Sequence, residues 1–426
     1  MQTTRTALIV VATAVSTLAI GVVALNFSSA EKKIEQRVAR LYTAGDPAFA
    51  RAMGVLLGPA ILRGNRFEAL LNGDRIFPAM LAAIHGAQKT ITFESFIYWS
   101  DDIGAAFAGA LAERARVGVK VHVLLDWVGS NKMNPAHLAV MEQAGVEVRK
   151  FHQPAWYKLS RLNNRTHRKV LVADGRIGFT GGVGIAGQWT GNAQDPQHWR
   201  DTHFRVEGPV VAQMQAVFLD NWIKATGAVL HGDDYFPFLQ PTAGGAAQMF
   251  SSSPSGGSES MHLMYLLAIT AAQYSIHLSS AYFVPDKFTQ QALVDALKRG
   301  VKLQIIVPGE HTDTELVRRA SRARWGDLLA AGAEIHEYLP TMYHCKVMIV
   351  DALLVSVGST NFDSRSFQLN DEANLNIFDA DFALAQIDVF NADRARSRRV
   401  TLQQWQQRPW VEKVWENAAS LLGSQL

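Results

Sequence analysis

Apolar and polar positions follow two patterns along most of the chain, and these patterns predict strands and helices. Short runs rich in β-branched and aromatic residues, such as residues 91–99 and 276–284, are typical of buried strands. The stretches between such runs have the spacing of amphipathic helices, and several of them end at a glycine. Strand-like runs that alternate with such helices indicate an α/β fold whose sheet is covered by helices on both faces.

Residues 7–25 depart from this pattern, because they form an uncharged run of nineteen residues. A helix of that length can cross a hydrocarbon layer of about 30 Å. The run is longer than the roughly 7–15 apolar residues of a signal-peptide core, which favours a retained membrane anchor. The small residues Ser28, Ser29 and Ala30 fit a cleavage site, so a cleaved signal peptide is the alternative.

The charges beside the apolar run do not decide on which side of the membrane the rest of the chain lies. Arg5 precedes the run, whereas four basic residues follow it: Lys32, Lys33, Arg37 and Arg40. The positive-inside rule therefore favours a cytoplasmic position for the rest of the chain. The layout of a signal sequence favours the opposite side.

Three short segments recur in the same order, which predicts two similar halves. Residues 84–91, 118–125 and 144–148 are echoed by residues 269–276, 300–307 and 331–335, at offsets of 185, 182 and 187 residues. A stretch rich in Gly, Pro and Asp separates the two sets. The predicted organisation is a membrane anchor or signal-anchor at 1–30, a connecting segment at 31–65, a first half at 66–226, a linker at 227–245, and a second half at 246–426 that ends in an amphipathic tail.

The composition mainly excludes one class of protein and two kinds of covalent or metal site. The chain has 41 basic and 38 acidic residues and a net charge of +3, so it lacks the excess of Lys and Arg that is typical of nucleic-acid-binding proteins. Its single cysteine, Cys345, excludes an intramolecular disulfide and a cysteine-rich zinc site. We therefore expect no nucleic-acid partner.

The clearest chemical signal is the pattern H-x-K-x4-D-x6-G-[G/S], which occurs once in each half. Chance alone predicts about 0.02 copies of H-x-K-x4-D in a chain of this composition, so two copies at equivalent places indicate a function. The motif residues are His167, Lys169, Asp174, Gly181 and Gly182 in the first half, and His344, Lys346, Asp351, Gly358 and Ser359 in the second half.

A His and a Lys two residues apart on a strand point to the same face. There the imidazole can attack phosphorus while the ammonium group holds a non-bridging oxygen. Displacement at phosphorus also needs an acid for the departing alkoxide and a base for the incoming alcohol, so two facing copies meet the need. The motif predicts phosphodiester chemistry through a covalent phosphohistidine. Gly182 and Ser359 are expected to let the backbone approach and present N–H groups to phosphate.

Four carboxylates and one amide complete the candidate site. Asp201 lies 34 residues after His167 and Glu372 lies 28 residues after His344, and each is predicted to orient an imidazole from its far nitrogen. Asn361 is placed to donate a hydrogen bond to a phosphate oxygen. The motif residues Asp174 and Asp351 each stand where a strand meets a turn, so catalytic and structural roles are both open for them.

These motifs resemble the phospholipase D superfamily and, within it, the bacterial cardiolipin synthases. Besides both motifs, the similar segments are residues 199–208, 282–286, 338–346 and 358–372. The resemblance implies two pseudo-twofold-related α/β halves, each a mixed sheet flanked by helices, that form one active site without a metal or other cofactor. It assigns the nucleophile to His167 and the acid–base role to His344, and the opposite assignment stays open.

The resemblance also implies a reaction, the transfer of a phosphatidyl group from one phosphatidylglycerol to another with release of glycerol. The same residues would serve a phospholipase D-type hydrolase in which water replaces the alcohol. A nuclease on the same scaffold is a further alternative, and it would predict a basic groove and no membrane segment. The expected partners are a phospholipid, with phosphatidylglycerol as the substrate, and the bacterial inner (cytoplasmic) membrane, entered by a single N-terminal span. The sequence leaves the oligomeric state unspecified.

Overall fold

The computed structural model describes residues 2–27, 34–153, 163–254 and 260–421. Within these ranges the helices are α1 Gln2–Phe27, α2 Pro47–Leu57, α3 Gly73–Gly86, α4 Asp102–Arg116, α5 Pro135–Gln143, α6 Val211–Thr226, α7 Ser260–Ala271, α8 Lys287–Lys298, α9 Glu315–Ala323, α10 Trp325–Ala330, α11 Ser364–Gln368, α12 Ala380–Ala395, α13 Leu402–Gln407 and α14 Trp410–Ser420. The strands are β1 Leu62–Leu71, β2 Thr90–Ser95, β3 Lys120–Asp126, β4 Glu147–Phe151, β5 Arg165–Thr166, β6 Val170–Ala173, β7 Ile177–Gly181, β8 Thr202–Glu207, β9 Gly245–Ser252, β10 Ser275–Ser280, β11 Phe283–Val284, β12 Lys302–Pro308, β13 Glu334–Tyr338, β14 Lys346–Val350, β15 Leu354–Gly358, β16 Phe362–Asp363, β17 Asn370–Phe378 and β18 Ser397–Val400.

One mixed sheet runs through both halves, and its strand order has an internal symmetry. The order is β4-β3-β2-β6-β7-β8-β1 in the first half, followed by β9-β17-β15-β14-β10-β12-β13 in the second, with β18 added at the far edge. Read from the outside inwards, the two halves place equivalent strands in the same order. This arrangement confirms the prediction of two related α/β halves with helices around a mixed sheet.

The two halves also repeat the local interactions that form their elements. β2 pairs in parallel with β3 and antiparallel with β6, and β10 pairs in the same two ways with β12 and β14. The helix that follows each of these strands begins at an aspartate, because Asp101 accepts from the backbone N–H of Gly104 and Asp286 accepts from that of Thr289. Strand β2 is buried along its whole length, as expected for a strand covered on both faces.

The halves join where β1 and β9 pair antiparallel at the centre of the sheet. The register of this pair shifts between Leu62 and Asn65. The buried side chain of Asn65 fills the irregularity, since its amide donates to the carbonyls of Leu62 and Gly245 at 2.7 and 3.3 Å. The Asn65 oxygen also accepts from the backbone N–H of Val210 at 2.8 Å. One side chain therefore ties together β1, β9 and the start of α6.

The structure corrects the predicted connecting segment at 31–65. This segment contains helix α2 and the beginning of β1. The first half therefore starts at Leu62, with the strand that pairs with the second half, rather than at residue 66. The buried residues Phe49, Met53 and Leu57 of α2 pack in the hydrophobic core of the second half. The sequence repeat could not indicate this, because α2 precedes the repeated segments.

Helix α1 is long and apolar enough to cross a membrane over Thr4–Gly21, judged by its length and composition. Its described apolar side chains are exposed, Leu8 and Ile20 among them. The residues that bear on cleavage and orientation, Ser28, Ser29, Ala30, Lys32 and Lys33, lie outside the described part of the chain. The tail predicted beyond residue 421 lies outside it as well.

The C-terminal helices pack on the second half through one face. The buried carboxylate of Glu416 on α14 contacts Arg322 of α9 at 3.1 Å and Arg408 at 2.6 Å. Trp410 and Trp415 are exposed on the same helix. Helix α14 therefore turns the Glu416 carboxylate inward and keeps its two tryptophans at the surface.

We expect the Asn65→Ala substitution to destabilise the seam between the halves. It removes both donors and the acceptor at a buried position, which corresponds to a loss of about 3 kcal/mol in the free energy of unfolding. Chemical denaturation of the detergent-solubilised chain, followed by circular dichroism, measures the change. A loss below about 1 kcal/mol would show that neighbouring groups replace the Asn65 side chain.

Candidate active site

Backbone pairing between the halves places each H-x-K segment beside a segment of the other half. β5, which leads into His167, pairs in parallel with the start of β17, and the N–H of His167 donates to the Asp371 carbonyl at 2.9 Å. In the second half, Tyr343 forms an isolated bridge with Arg200, and the N–H of His344 donates to the Arg200 carbonyl at 2.8 Å. His167 is thus held next to Asp371, which precedes Glu372. His344 is held next to Arg200, which precedes Asp201.

The predicted carboxylates consequently pair crosswise. Nδ1 of His167 donates to the two carboxylate oxygens of Glu372 at 3.0 and 3.1 Å, and Nδ1 of His344 donates to Oδ2 of Asp201 at 2.7 Å. Both carboxylates and both imidazoles are buried. A carboxylate at Nδ1 holds the ring in the tautomer whose Nε2 carries the lone pair. The structure therefore brings together two imidazoles, each oriented by the other half.

Further polar groups hold the two carboxylates in place. Glu372 accepts from the Ser359 hydroxyl at 2.5 Å and from the Asn370 amide at 3.3 Å. Asp201 accepts from the Trp189 indole N–H at 3.0 Å and from the backbone N–H of Thr202 at 2.8 Å. For both Asp201 and Glu372, burial is the largest single influence and raises the pKa. The paired imidazole, a motif lysine and the hydrogen bonds to the carboxylate together outweigh burial, so each pKa lies below its ordinary value.

The structure corrects the expectation that Gly182 and Ser359 present backbone N–H groups to phosphate. The N–H of Gly182 donates to the Thr202 carbonyl, and the N–H of Ser359 donates to the Ala373 carbonyl, so strand pairing uses both. Gly182 instead leaves room for a carboxylate, because a Cβ at this position would lie 2.1 Å from Oδ1 of Asp201. Glycine and serine at equivalent positions therefore support the two orienting carboxylates.

The two motif lysines lie against their own histidines. Nζ of Lys169 donates to the His167 carbonyl at 2.8 Å, and Nζ of Lys346 donates to the His344 carbonyl at the same distance. Lys346 also lies 3.2 Å from both ring nitrogens of His344. Burial, reinforced by the charge of Lys346, lowers the pKa of Lys169 to about 7. The lysines thus concentrate positive charge beside the imidazoles.

Burial also lowers the pKa of both imidazoles, to about 4 for His167 and about 3 for His344. The paired carboxylates act in the opposite direction, while the lysine charges act with burial. At neutral pH the resting site therefore contains two neutral imidazoles. A bound anion would favour their protonated forms, because it adds negative charge beside the buried rings.

The contacts of Asp174 and Asp351 fit the structural role, which is one of the two roles that the sequence leaves open for them. Asp174 accepts from three consecutive backbone N–H groups, those of Gln88, Lys89 and Thr90, at 2.7–2.9 Å. Asp351 binds the equivalent turn in the second half, at residues 273–275, over the same distances. Both have positive φ angles, 53° and 52°, which aspartate tolerates better than most residues. Asp174 anchors the turn that leads into β2, and Asp351 anchors the turn that leads into β10.

A cavity of about 460 Å³ opens onto the two imidazoles, and the two halves line it differently. The first half contributes an apolar wall of Phe96, Ile97, Trp99, Trp189 and Trp199. The second half contributes a polar wall of Tyr282, Asp313, Asn361, Asp363, Arg365 and Ser366. Asn361 thus lies where the sequence predicts it, and its Oδ1 is buried without a hydrogen-bond partner among the described residues.

The sequence did not predict most of the residues that line this cavity. For Arg165 a signal existed, because Arg165, His167 and Lys169 are spaced two residues apart, and all three line the cavity. The tryptophans gave no such signal, since aromatic residues in a long chain more often belong to the core. Among the described residues, no group of three or more His, Cys, Asp or Glu side chains is arranged to hold a metal ion.

The geometry agrees with comparisons to known proteins. The family model "Cardiolipin synthase, PLD-like domain" matches residues 80–222 and 265–394, which include both motifs and both orienting carboxylates. The chain belongs to this family. The matched residues lie in both halves of the chain.

Relatives extend the similarity beyond the matched residues. A cardiolipin synthase from Geobacillus kaustophilus is 35% identical over 356 residues, 83% of this chain and 71% of the relative. Cardiolipin synthase A from Pseudomonas fluorescens is 32% identical over 393 residues, 92% of this chain and 80% of the relative. The crystal structure of phosphatidylserine synthase from Haemophilus influenzae superimposes with a TM-score of 0.67 over 88% of this chain and 99% of that one. At 15% identity, this last comparison shows a shared fold alone.

We expect Asp174→Ala and Asp351→Ala to reduce stability and to spare activity. Each removes the acceptor of three backbone N–H groups, which corresponds to about 2–4 kcal/mol of unfolding free energy. Activity per folded molecule should stay within about twofold of the wild type, as measured at a temperature where both proteins are folded. A loss of activity as deep as that of Asp201→Ala, in a folded protein, would return these aspartates to the catalytic set.

Proposed function

We propose that this chain is a cardiolipin synthase-type phosphatidyltransferase, which transfers a phosphatidyl group from one phosphatidylglycerol to a second one and releases glycerol. The observation that carries the proposal is the pair of buried imidazoles, each held by a carboxylate of the other half, at the base of one cavity. This arrangement supplies a nucleophile and an acid–base group to one phosphorus atom. The names of its relatives agree with this reaction.

In the first step, Nε2 of His167 attacks the phosphorus of the donor lipid, and the bond from phosphorus to the glycerol oxygen breaks. His344, in its protonated form, gives its Nε2 proton to that oxygen, so glycerol leaves neutral. Glu372 supports the positive charge that develops on the His167 ring. The phosphatidyl group is then bound to His167 as a covalent phosphohistidine.

In the second step, a primary hydroxyl of another phosphatidylglycerol attacks the phosphorus. His344 takes the hydroxyl proton, the bond from phosphorus to Nε2 of His167 breaks, and cardiolipin is released. Asp201 holds the His344 ring in the orientation that both proton transfers need. Lys169, Lys346 and Asn361 bind the non-bridging oxygens, whose charge increases as the transition state forms.

The apolar helix α1 and the proposed lipid substrate support a reaction at a membrane. We assign the enzyme to the bacterial inner membrane, held by a single N-terminal span. The apolar wall of Phe96, Ile97 and Trp99 then faces the diacylglycerol portion of the substrate, because apolar side chains are the suitable contacts for that part of a lipid.

The product of the reaction tests the proposal directly. Purified, detergent-solubilised enzyme given phosphatidylglycerol should form cardiolipin and glycerol. His167→Ala and His344→Ala should each lower the rate by at least about a thousandfold, because nucleophile and acid act as a unit. Mass spectrometry of the lipids measures both. Phosphatidic acid as the sole product would assign the chain to the hydrolases instead.

The division of roles between the histidines has its own test. Rapid denaturing quench of the enzyme with phosphate-labelled phosphatidylglycerol should leave label on the peptide that contains His167. Label on the His344 peptide would reverse the two roles while leaving the overall reaction intact.

The lowered pKa of Lys169 predicts a decline of kcat/KM above about pH 7. Because this pKa lies at about 7 rather than at its ordinary value of about 10.4, the free enzyme loses a positive charge as pH rises through neutrality. Lys169→Arg keeps its charge and should move the decline to higher pH, although with a lower maximal rate. The pH profile of initial rates in mixed micelles, from pH 5.5 to 9, provides the measurement. An unchanged profile in Lys169→Arg would assign the decline to another group.

A further inference from the structure

Helix α14 has its polar side buried and its apolar side exposed. The carboxylate of Glu416 is buried, where it contacts Arg322 at 3.1 Å and Arg408 at 2.6 Å. A helix on the surface of a soluble domain normally buries its apolar side and turns its charged residues to water. The orientation of α14 is therefore the reverse of the one that water alone would favour.

The exposed side of α14 is one continuous apolar face. At 3.6 residues per turn, six exposed positions fall within about 140° of one another around the helix axis. These six residues form the α14 face: Trp410, Val411, Val414, Trp415, Ala418 and Leu421. Leu421 follows the helix in the same backbone conformation. Trp410, Trp415 and Leu421 are 75%, 59% and 84% exposed, so no part of the described chain covers the face.

The composition of the α14 face suits the surface of a lipid bilayer. Contiguous apolar patches on a protein surface mark contacts with proteins, membranes or ligands. Tryptophan is enriched where hydrocarbon meets water, because its ring is apolar and its indole N–H finds a polar partner. Helices that lie in the plane of a membrane surface turn tryptophan and aliphatic side chains towards the lipid.

The position of α14 brings this face next to the cavity that contains the two imidazoles. Near the C-terminal end of the helix, Ala419 packs with Val317 and Ala320 of α9. Val317 also lines the cavity. Because Leu421 lies two residues beyond Ala419, the most exposed end of the α14 face is also the end that lies nearest to the cavity.

The first half has an exposed tryptophan close to the same cavity. Trp127, which is 39% exposed, begins the loop at 127–132. This loop contacts the cavity wall, since the indole N–H of Trp99 donates to the Gly129 carbonyl at 3.1 Å. Nζ of the exposed Lys132 lies 4.1 Å from the centre of the Trp99 ring, and a cation there suits anionic headgroups. A lipid surface can contact both halves and also supply the substrate, whereas a protein bound across them would cover the opening.

We propose that α14 is an interfacial helix whose exposed face enters the headgroup region of the membrane and holds the cavity against the lipid surface. This contact is separate from α1, because a single span tethers the chain without fixing the direction in which the cavity faces. It goes beyond the proposed function, since a lipid substrate has to enter the cavity whether the phosphatidyl group passes to an alcohol or to water.

A fluorescent label tests whether the α14 face enters the lipid. The environment-sensitive fluorophore NBD is attached to Val414→Cys on the face, or to Glu412→Cys, whose native carboxylate lies 3.7 Å from Arg322. The native Cys345 is buried and the pKa of its thiol is raised to about 12, so the introduced thiol takes the label. In nanodiscs that contain doxyl-labelled lipids, the label at 414 should be quenched at least twice as strongly as the label at 412. Equal, weak quenching at both positions would overturn the proposal.

The second test asks whether the face matters for substrate that resides in a bilayer. In proteoliposomes, the pair Trp410→Ser and Trp415→Ser should lower the turnover of long-chain phosphatidylglycerol at least fivefold. Turnover of short-chain phosphatidylglycerol, dissolved as monomers, should stay within about twofold of the wild type. Phenylalanine at both positions keeps the face apolar and should restore most of the long-chain rate. Phe238→Ser removes a ring that is 78% exposed in the linker, and as the control it should leave both rates unchanged.

The remaining outcomes separate this proposal from its alternatives. Equal loss of both rates in the serine pair would show that the tryptophans support the fold or the site, and it would overturn the interfacial role. An unquenched label at 414, together with a dimer that the serine pair dissociates in light scattering, would show that a second copy covers the face. A wild-type protein that turns over neither lipid would overturn the proposed function, and the quenching would still decide the position of α14.

Discussion

The pairing of each reactive imidazole with a carboxylate of the opposite half is the interaction on which the rest of the site depends. His167 and Glu372 are 205 residues apart in sequence, and His344 and Asp201 are 143 residues apart. All four groups are buried. Because a buried polar group that loses its hydrogen-bond partner costs about 1–3 kcal/mol, the two halves are held in register by the same contacts that orient the rings. The same four residues therefore help to form both the seam between the halves and the active site.

The repeat in the sequence was enough to predict the α/β halves, because their strands and helices depend on local pattern. The H-x-K spacing likewise identified His167 and His344 as a pair. The sequence indicated that Asp201 and Glu372 each orient an imidazole, but it could not show that they pair crosswise, which depends on the pairing of β5 with β17. The roles of Asp174 and Asp351 stayed open for a related reason, since a motif position does not reveal whether its side chain faces the cavity or a turn.

The halves have kept their supporting framework and have diverged where they meet the substrate. The capping residues Asp101 and Asp286 occupy equivalent places, as do the turn anchors Asp174 and Asp351. The cavity walls differ, because Ile97 in the first half corresponds to Tyr282 in the second. A duplicated scaffold thus presents an apolar wall and a polar wall to one cavity, which matches the two-part chemistry of a phospholipid.

The central position of β1 has a consequence for how the protein is made. β1 pairs with β8 on one side and with β9 on the other, and β9 begins at Gly245. While the ribosome synthesises the second half, the finished first half has an unpaired edge strand, the kind of surface that promotes aggregation. The late arrival of β17 also means that Glu372 meets His167 only near the end of translation. The nascent chain therefore passes through a period in which an edge strand of the sheet has no partner.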